Sequence, residues 1–178
     1  HCWLYDNDGN IYLQIRKDVG KLYTTASGHV MSGETIKQGF GREIKEEIGI
    51  DVDYEKAQLV NVYKFSMDKE KNDGTVFRDR AFSNVYVCLF NGKDKEFNFD
   101  ENELDGLVKV NAQDTLKLFK GEIDYIQGEL IERKDNKMQI INKKIEFNDF
   151  LVNSGETAIG KYGDILNKVV DLNSSNVN

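Results

Sequence analysis

Three glutamates lie within five residues of the chain, at positions 43, 46 and 47. In an α-helix, residues three and four positions apart share a face, so Glu43, Glu46 and Glu47 would place their carboxylates on one side. Like charges at this spacing destabilise an isolated helix by about 0.2–0.5 kcal/mol. A bound Mg²⁺ or Mn²⁺ ion would remove this repulsion, because both ions prefer carboxylate and water oxygens. The alternative is an acidic face that only contacts water, and the stretch 42–47 taken alone favours it.

The residues around these glutamates predict an amphipathic helix over 35–48, with Gly49 as the stop signal. Its apolar residues recur every four positions: Ile36, Phe40, Ile44 and Ile48. Gly39 and Gly41 would each cost about 1 kcal/mol relative to alanine inside a helix. We therefore expect these glycines to pack closely against a strand or against the preceding loop. Arg42 is next to the glutamates and can pair with one of them and fix its orientation.

The wider spacing favours the metal-binding interpretation. The pattern reads Gly28, five residues, Glu34, seven residues, Arg42-Glu43, an aliphatic residue, one residue, Glu46-Glu47, one residue, Gly49 and a second aliphatic residue. It matches every fixed position of the Nudix box, G-x5-E-x7-R-E-U-x-E-E-x-G-U, where U is aliphatic. With average residue frequencies, a chance match at a given position is on the order of 10⁻⁹. The chain therefore resembles the Nudix hydrolases.

The resemblance implies an α/β (α+β) fold, in which helices cover both faces of a mixed sheet as an αβα sandwich. It also implies metal-dependent hydrolysis of a nucleoside diphosphate linked to another moiety. The expected cofactor is Mg²⁺ or Mn²⁺, which bridges phosphate oxygens, neutralises developing charge and lowers the pKa of the attacking water. The expected partner is thus a small molecule that contains a diphosphate, and homodimers are common in the family.

Position in the box implies a role for each polar residue. The expected metal ligands are Glu43, Glu46, Glu47 and the carbonyl of Gly28. Glu43 is either a third carboxylate ligand or the residue that activates water. Glu34 would support the site, and Arg42 would orient a neighbouring glutamate.

Upstream residues resemble one branch of the family, the isopentenyl-diphosphate isomerase-like proteins. The stretches "HCWLYDNDGNIYLQIRK" and "ASGHVMSGET" carry this resemblance, which covers residues 1 to about 120. Isomerases of this branch use a cysteine two residues before the histidine of the box, where this chain has Ser27, and carboxylates where it has "RDRAF" at 78–82. Without the thiol and the acid the proton relay is incomplete. Hydrolysis is therefore favoured over isomerisation, and the intact box argues against an inactive nucleotide-binding module.

Arg78, Arg80 and Phe82 are candidates for substrate binding. Arg78 lies in the polar stretch 68–79, and the other two residues follow it. We expect this stretch to be a mobile loop between strands at 57–67 and 81–92. The arginines would hold a phosphate and the phenylalanine would stack on a base. The alternative is a loop that only contacts water.

Two further residues have two interpretations each. His29 would bind metal or phosphate, or serve as a structural residue where the loop meets the helix. Glu103 precedes a predicted strand at 105–110, where Nudix proteins often place a further acid near the active site; helix or turn capping explains it equally well.

The chain divides into an expected Nudix core over residues 1–121, ending in a helix at 112–121, and a C-terminal extension over 122–178. The segment 125–147 fits a hairpin that turns at 134–137, or a long charged helix, and its periodicity does not decide between them. A final helix is expected at 163–172, followed by a polar tail at 173–178. The extension could shape a pocket, form a dimer surface or only cover the sheet.

Composition excludes several classes of protein. The 178 residues carry a formal net charge of −7 without a basic stripe, which argues against binding to a nucleic acid polymer. No apolar run approaches the roughly 18 residues that a membrane span requires. The two cysteines, Cys2 and Cys88, belong to apolar runs and lack a CxxC partner, so we expect free buried thiols and a cytoplasmic location.

Overall fold

A single mixed sheet organises the protein. The computed structural model describes residues 1–71, 73–99, 101–135, 137–152 and 160–175, and within these ranges there are eight strands and three α-helices. The strands are β1 Cys2–Tyr5, β2 Asn10–Arg16, β3 Lys21–Leu22, β4 Gln58–Glu70, β5 Val76–Leu89, β6 Leu104–Asn111, β7 Tyr125–Lys134 and β8 Lys137–Glu146. The helices are α1 Ile36–Ile48, α2 Ala112–Phe119 and α3 Gly160–Ser175. The strand order is β4-β5-β1-β2-β6-β7-β8, with β3 paired to β2.

Helices cover both faces of this sheet, because side chains alternate between the faces along each strand. On β1, Cys2 and Leu4 pack on the side of α1, whereas Trp3 and Tyr5 pack on the side of α2 and α3. Helix α1 buries Phe40, Ile44 and Ile48 against the first face. Helices α2 and α3 bury Leu116, Phe119, Tyr162 and Ile165 against the second face. The predicted αβα sandwich with a mixed sheet is confirmed.

Helix α1 begins and ends as its sequence predicts. The Thr35 side chain accepts a hydrogen bond from the Gln38 backbone N–H and closes a capping box, and Gly49 ends the helix in the left-handed conformation at φ 75°. A Cβ at Gly39 would lie 3.2–3.3 Å from Val30 of the preceding loop, so the expected close packing is confirmed there. At Gly41 a Cβ would meet no heavy atom within 4 Å, and the same expectation was wrong.

The loop expected over residues 68–79 is largely strand. Strands β4 and β5 form one long hairpin whose pairing continues to Glu70 and Val76. Arg78 and Arg80 therefore belong to β5, and Arg80 makes a 2.5 Å ion pair with Asp68 on the neighbouring strand. Polar composition was misleading here, because the ladder is built from backbone hydrogen bonds and opposite charges on neighbouring strands support it.

The C-terminal segment extends the sheet. Strands β7 and β8 form a hairpin, as in the first of the two alternatives, and β7 pairs with β6. Ile126 and Ile145 of this hairpin share one apolar cluster with Trp3. Helix α3 continues to Ser175, beyond the predicted end at 172, and the hydroxyls of its last two serines donate to backbone carbonyls one turn earlier. The rest of the expected polar tail, 176–178, lies outside the described residues.

We predict that Gly49→Ala lowers the free energy of unfolding by at least about 1 kcal/mol, because alanine is strained at positive φ. Its Cβ would also lie 2.6 Å from the carbonyl oxygen of Asn98. Urea unfolding followed by circular dichroism measures the change. The control is Gly41→Ala in the same helix, which should raise stability by up to about 1 kcal/mol. Equal effects of the two variants would contradict this account of the helix end.

Candidate active site

The guanidinium group of Arg42 contacts three carboxylates. Its Nε and Nη2 donate to the two carboxylate oxygens of Glu34 at 2.8 and 3.0 Å. Its Nη1 donates to Glu43 at 2.8 Å and to Glu46 at 2.9 Å. Nη2 also reaches the backbone carbonyl of His29 at 3.1 Å. These contacts raise the pKa of Arg42, chiefly through its hydrogen bonds with Glu34. Arg42 thus orients two glutamates of the helix and ties the helix to the preceding loop.

Glu34 fixes the loop before α1. Besides the two bonds from Arg42, its carboxylate accepts a hydrogen bond from the Met31 backbone N–H at 2.9 Å. The hydrogen bonds from Arg42, followed by the one from Met31, lower the pKa of Glu34 to about 2. Glu34 is therefore ionised at neutral pH.

Glu47 has a different environment from the other glutamates of the helix. It is only 6% exposed, and its carboxylate accepts hydrogen bonds from the Ser27 backbone N–H at 3.0 Å and from the Gln14 side chain at 3.4 Å. Burial raises its pKa to about 8, the Ser27 N–H opposes this shift, and the carboxylates of Glu103 and Glu43 add to it. A buried carboxylate of this kind is a candidate for metal binding or proton transfer.

The backbone at Gly28 and the carboxylate of Glu43 are in direct contact. A Cβ added at Gly28 would lie 1.9 Å from the carboxyl carbon of Glu43, so a larger residue would displace this carboxylate from its present position beside Arg42. Because Glu47 accepts the N–H of the adjacent Ser27, two carboxylates converge on the same short stretch of backbone. The structure thus brings together Glu43, Glu47 and the first glycine of the sequence pattern.

Among the residues that the structure describes, no three His, Cys, Asp or Glu side chains are arranged as a metal-binding group. Arg42 is one reason why these side chains are not arranged around an ion. Its Nη1 donates one hydrogen bond to Glu43 and another to Glu46, so these two carboxylates face the guanidinium group. The donor chemistry nevertheless fits a hard divalent cation, since it consists of carboxylate oxygens beside a backbone that offers further oxygens. The residues that would hold the ion are Glu46, Glu47 and the Gly28 carbonyl, with Glu43 as a third carboxylate ligand or as the group that activates water.

A cavity of about 770 Å³ opens beside these residues, and Glu43, Gly28, His29 and Phe82 line it. The His29 side chain is 78% exposed, with its Nε2 3.3 Å from a carboxylate oxygen of Asp79 on β5. Phe82 is 73% exposed. These two candidates for substrate binding therefore line the same cavity as Glu43, and their role in binding stays a prediction.

The remaining candidates lie elsewhere. Glu103 lines a smaller cavity of about 440 Å³ together with Glu47. Arg78 and Arg80 are not among the described residues that line the large cavity. Arg80 is held on the hairpin by Asp68 and donates to the carbonyl of Met67 at 2.9 Å.

Sequence reasoning missed several residues of the site. Gln14 and the Ser27 N–H hold Glu47, and Asp79 contacts His29 across the cavity. Lys161 on α3 also lines this cavity. Gln14 belongs to the upstream stretch that resembles the isomerase-like branch, and its "QIR" could have indicated this residue. No spacing rule indicates Asp79 or Lys161.

The family model of the NUDIX domain matches residues 1–128 of this chain. The chain belongs to the Nudix family. An uncharacterized Nudix hydrolase of Clostridium acetobutylicum is 26% identical over 180 residues, and the match covers 96% of this chain and 82% of that protein. These matches do not distinguish branches of the Nudix family, so the isomerase-like branch stays a prediction.

Solved structures resemble this Nudix protein in fold. A MutT/nudix family protein from Enterococcus faecalis aligns with a TM-score of 0.50 at 15% identity, covering 96% of this chain and 60% of that one. The chain thus spans less than two thirds of the Enterococcus protein. A Deinococcus radiodurans protein aligns with a TM-score of 0.49 at 20% identity, covering 68% of this chain and 69% of that one.

We predict that Gly28→Ala destabilises the protein through its contact with Glu43. The same substitution should cost at least about 1 kcal/mol less when Glu43 is also alanine, because the truncated side chain leaves room for the new methyl group. Urea unfolding of the wild type, the two single variants and the double variant measures this coupling. Purely additive effects would show that the contact does not exist in solution.

Glu47 should make stability depend on pH. Its pKa is about 8 when folded and 4.5 when exposed, so the folded protein retains a proton that the unfolded chain releases in this window. The free energy of unfolding should therefore fall as pH rises, by roughly 2–3 kcal/mol between about pH 5 and pH 7. Unfolding in the presence of EDTA measures this slope. Glu47→Gln should remove most of it, and an unchanged slope in that variant would contradict the assignment.

Proposed function

We propose that this Nudix protein is a pyrophosphohydrolase that cleaves a nucleoside diphosphate linked to another moiety, with Mg²⁺ or Mn²⁺ as cofactor. The observation that carries the proposal is the convergence of Glu43 and Glu47 on the backbone of Ser27 and Gly28, at the wall of a cavity of about 770 Å³. Cavities of roughly 300–1,000 Å³ are typical of small-molecule sites. Family membership and similarity to a Nudix hydrolase support the same reaction class.

In this proposal the residues of the site have separate roles. Glu46, Glu47 and the Gly28 carbonyl would hold the ion, while Arg42 and Glu34 orient the acids. When bound, the ion neutralises charge on the phosphate oxygens and lowers the pKa of water. Glu43 is the member of the glutamate trio that lines the large cavity, so we assign to it the contact with the attacking water. A general base must lie within hydrogen-bond reach of the proton that it takes.

Isomerisation is the less favoured alternative. The backbone N–H at Ser27, where isomerases carry their cysteine, is bonded to Glu47. Cys2 lines the cavity but is 1% exposed, and Cys88 is 4% exposed. Asp79 does supply an acid on β5, yet no exposed thiol accompanies it in the described part of the chain. A proton relay across a double bond needs both groups in contact with the substrate.

The proposed partner is a small molecule that contains a diphosphate, and the proposed location is the cytoplasm. The two cysteines are free and buried, which is in keeping with a reducing compartment. None of the helices in the described ranges has the length and apolar character that crossing a bilayer requires.

The test is phosphate release, coupled to a phosphatase, from nucleotide sugars, dinucleotides, coenzyme A and nucleoside triphosphates, with Mg²⁺, Mn²⁺ or EDTA. We expect cleavage of one substrate class that depends on the metal. Glu43→Gln, Glu46→Gln and Glu47→Gln should each lower kcat/KM by at least about 100-fold, because each removes a charged oxygen donor from the site.

The matched control is Glu55→Gln. Glu55 is an exposed glutamate that pairs with Lys37 in the first turn of α1 and does not line the cavity. This variant should retain the activity of the wild type. Silence of the wild type across the whole panel, or equal rates for Glu43→Gln and Glu55→Gln, would overturn the proposed function.

A further inference from the structure

Both helical layers contribute to the large cavity. Gly39, Phe40 and Glu43 of α1 line it, and so does Lys161 of α3. Because α1 and α3 cover opposite faces of the sheet, Glu43 and Lys161 mark two different ends of the cavity. The cavity thus meets a carboxylate on the side of α1 and a lysine on the side of α3.

Aromatic rings surround the ammonium group of Lys161. Its Nζ lies 3.2 Å from the hydroxyl oxygen of Tyr23, to which it donates. It also lies 5.4 Å from the ring centroid of Tyr23 and 5.7 Å from that of Tyr63, within the range of cation–π attraction. Tyr23 and Tyr63 themselves line the cavity. These contacts place a positive charge at this end.

The helix that carries Lys161 is firmly held. Tyr63 of β4 donates a 2.6 Å hydrogen bond to the carboxylate of Asp164, one turn further along α3. The neighbouring Tyr162 is buried and donates to the carbonyl of Leu151 at 3.0 Å. The position of the ammonium group is therefore set by packing and hydrogen bonds, as a binding residue requires.

Electrostatics then determine which group of a substrate fits each end. A second anionic group beside Glu43 would meet a cluster of carboxylates and be repelled. Beside Lys161 it would meet an ammonium group, and hydrogen bonds between charged partners are about twice as strong as neutral ones. Arg16, Lys64 and Lys69 also line the cavity, and Asp18 holds the Arg16 guanidinium through two hydrogen bonds of 2.8 and 3.0 Å. Lys161 differs from these residues in its position on α3, and contacts with two tyrosines fix its ammonium group.

We propose that Lys161 determines substrate specificity by binding an anionic group, a phosphate or a carboxylate, on the part of the substrate away from the diphosphate. This inference rests on the proposed function, since it names the substrate class of the same site. Lys161 lies outside residues 1–128, which match the family model, so the preference belongs to the C-terminal segment of this chain. The sequence left three roles open to that segment: shaping a pocket, forming a dimer surface or only covering the sheet. The inference corresponds to the first of these roles.

Two pairs of substrates test the inference. Coenzyme A and dephospho-coenzyme A differ by one phosphate, and UDP-glucuronate and UDP-glucose differ by one carboxylate. In the wild type, kcat/KM should be higher for the anionic member of at least one pair, and that pair identifies the anion. Lys161→Gln should lower this preference by at least about 10-fold, mainly through KM, and Lys161→Arg should retain part of it.

The matched control is Lys168→Gln, which removes the same charge from the same helix at a residue that does not line the cavity. It should leave the preference unchanged. Equal losses on both members of a pair in Lys161→Gln would show that Lys161 only supports the fold. A wild type without preference in either pair would overturn the inference.

Binding separates this inference from the proposed function. If the wild type cleaves none of the four compounds, the hydrolase proposal fails for these classes, and calorimetric titration of the same compounds still tests Lys161. The anionic member should then bind about 10-fold more tightly, and Lys161→Gln should abolish the difference. Equal binding of both members, or no binding by either, would overturn the role of Lys161.

Discussion

The positions of Glu43, Glu46 and Glu47 depend on how helix α1 packs against the sheet. Phe40, Ile44 and Ile48 are buried on one side of this helix, and the acids lie on other sides of the same rigid rod. Burying one large apolar side chain contributes about 1.5–3 kcal/mol, whereas a pair of like charges on a helix costs about 0.2–0.5 kcal/mol. Packing therefore outweighs the repulsion, and the acids stay together because the apolar face cannot turn away from the core.

The protein deals with this concentration of negative charge in two ways. Arg42 neutralises the carboxylates nearest to solvent and lowers the pKa of Glu34 to about 2. Glu47 lies beyond the reach of that guanidinium and is held by a backbone N–H, and burial raises its pKa to about 8. Two glutamates of one motif thus differ in proton affinity because one is paired with a cation and the other is desolvated. This contrast gives the site both a fixed charge and a group that can exchange a proton near neutral pH.

The parts of this fold that sequence predicts well are those in which one pattern has one physical solution. The four-residue period from Ile36 to Ile48 fits only a helix with one apolar face, and the capping residues define its ends. Phe40, Ile44 and Ile48 of this face are buried, whereas Ile36 in the first turn is 41% exposed. The outer part of the β4–β5 hairpin, residues 68–70 of β4 and 76–79 of β5, was harder, because most of its side chains are exposed and its polar composition resembles that of a loop. The charged segment 125–147 fits a helix and a hairpin equally well until its strand pairing with β6 is known.

The candidate site follows the same rule. The box residues are predictable because they share one helix and one loop, so sequence spacing fixes their geometry. Gln14, Asp79 and Lys161 reach the site from distant parts of the chain, and only the strand order brings them there. A single sequence contains no local pattern for such contacts.

The wall of the cavity that the β4–β5 hairpin forms is less firmly held than the wall that helix α1 forms. Strand β1 pairs with β5 only from Tyr86 to Leu89, so the portion of the β4–β5 hairpin from Ser83 to Val76 projects beyond β1 as a two-stranded ribbon. Such ribbons are marginally stable by themselves and twist readily, whereas α1 is anchored in the core. Residues on the ribbon can therefore be exchanged, and the width of the cavity altered, without moving the acids.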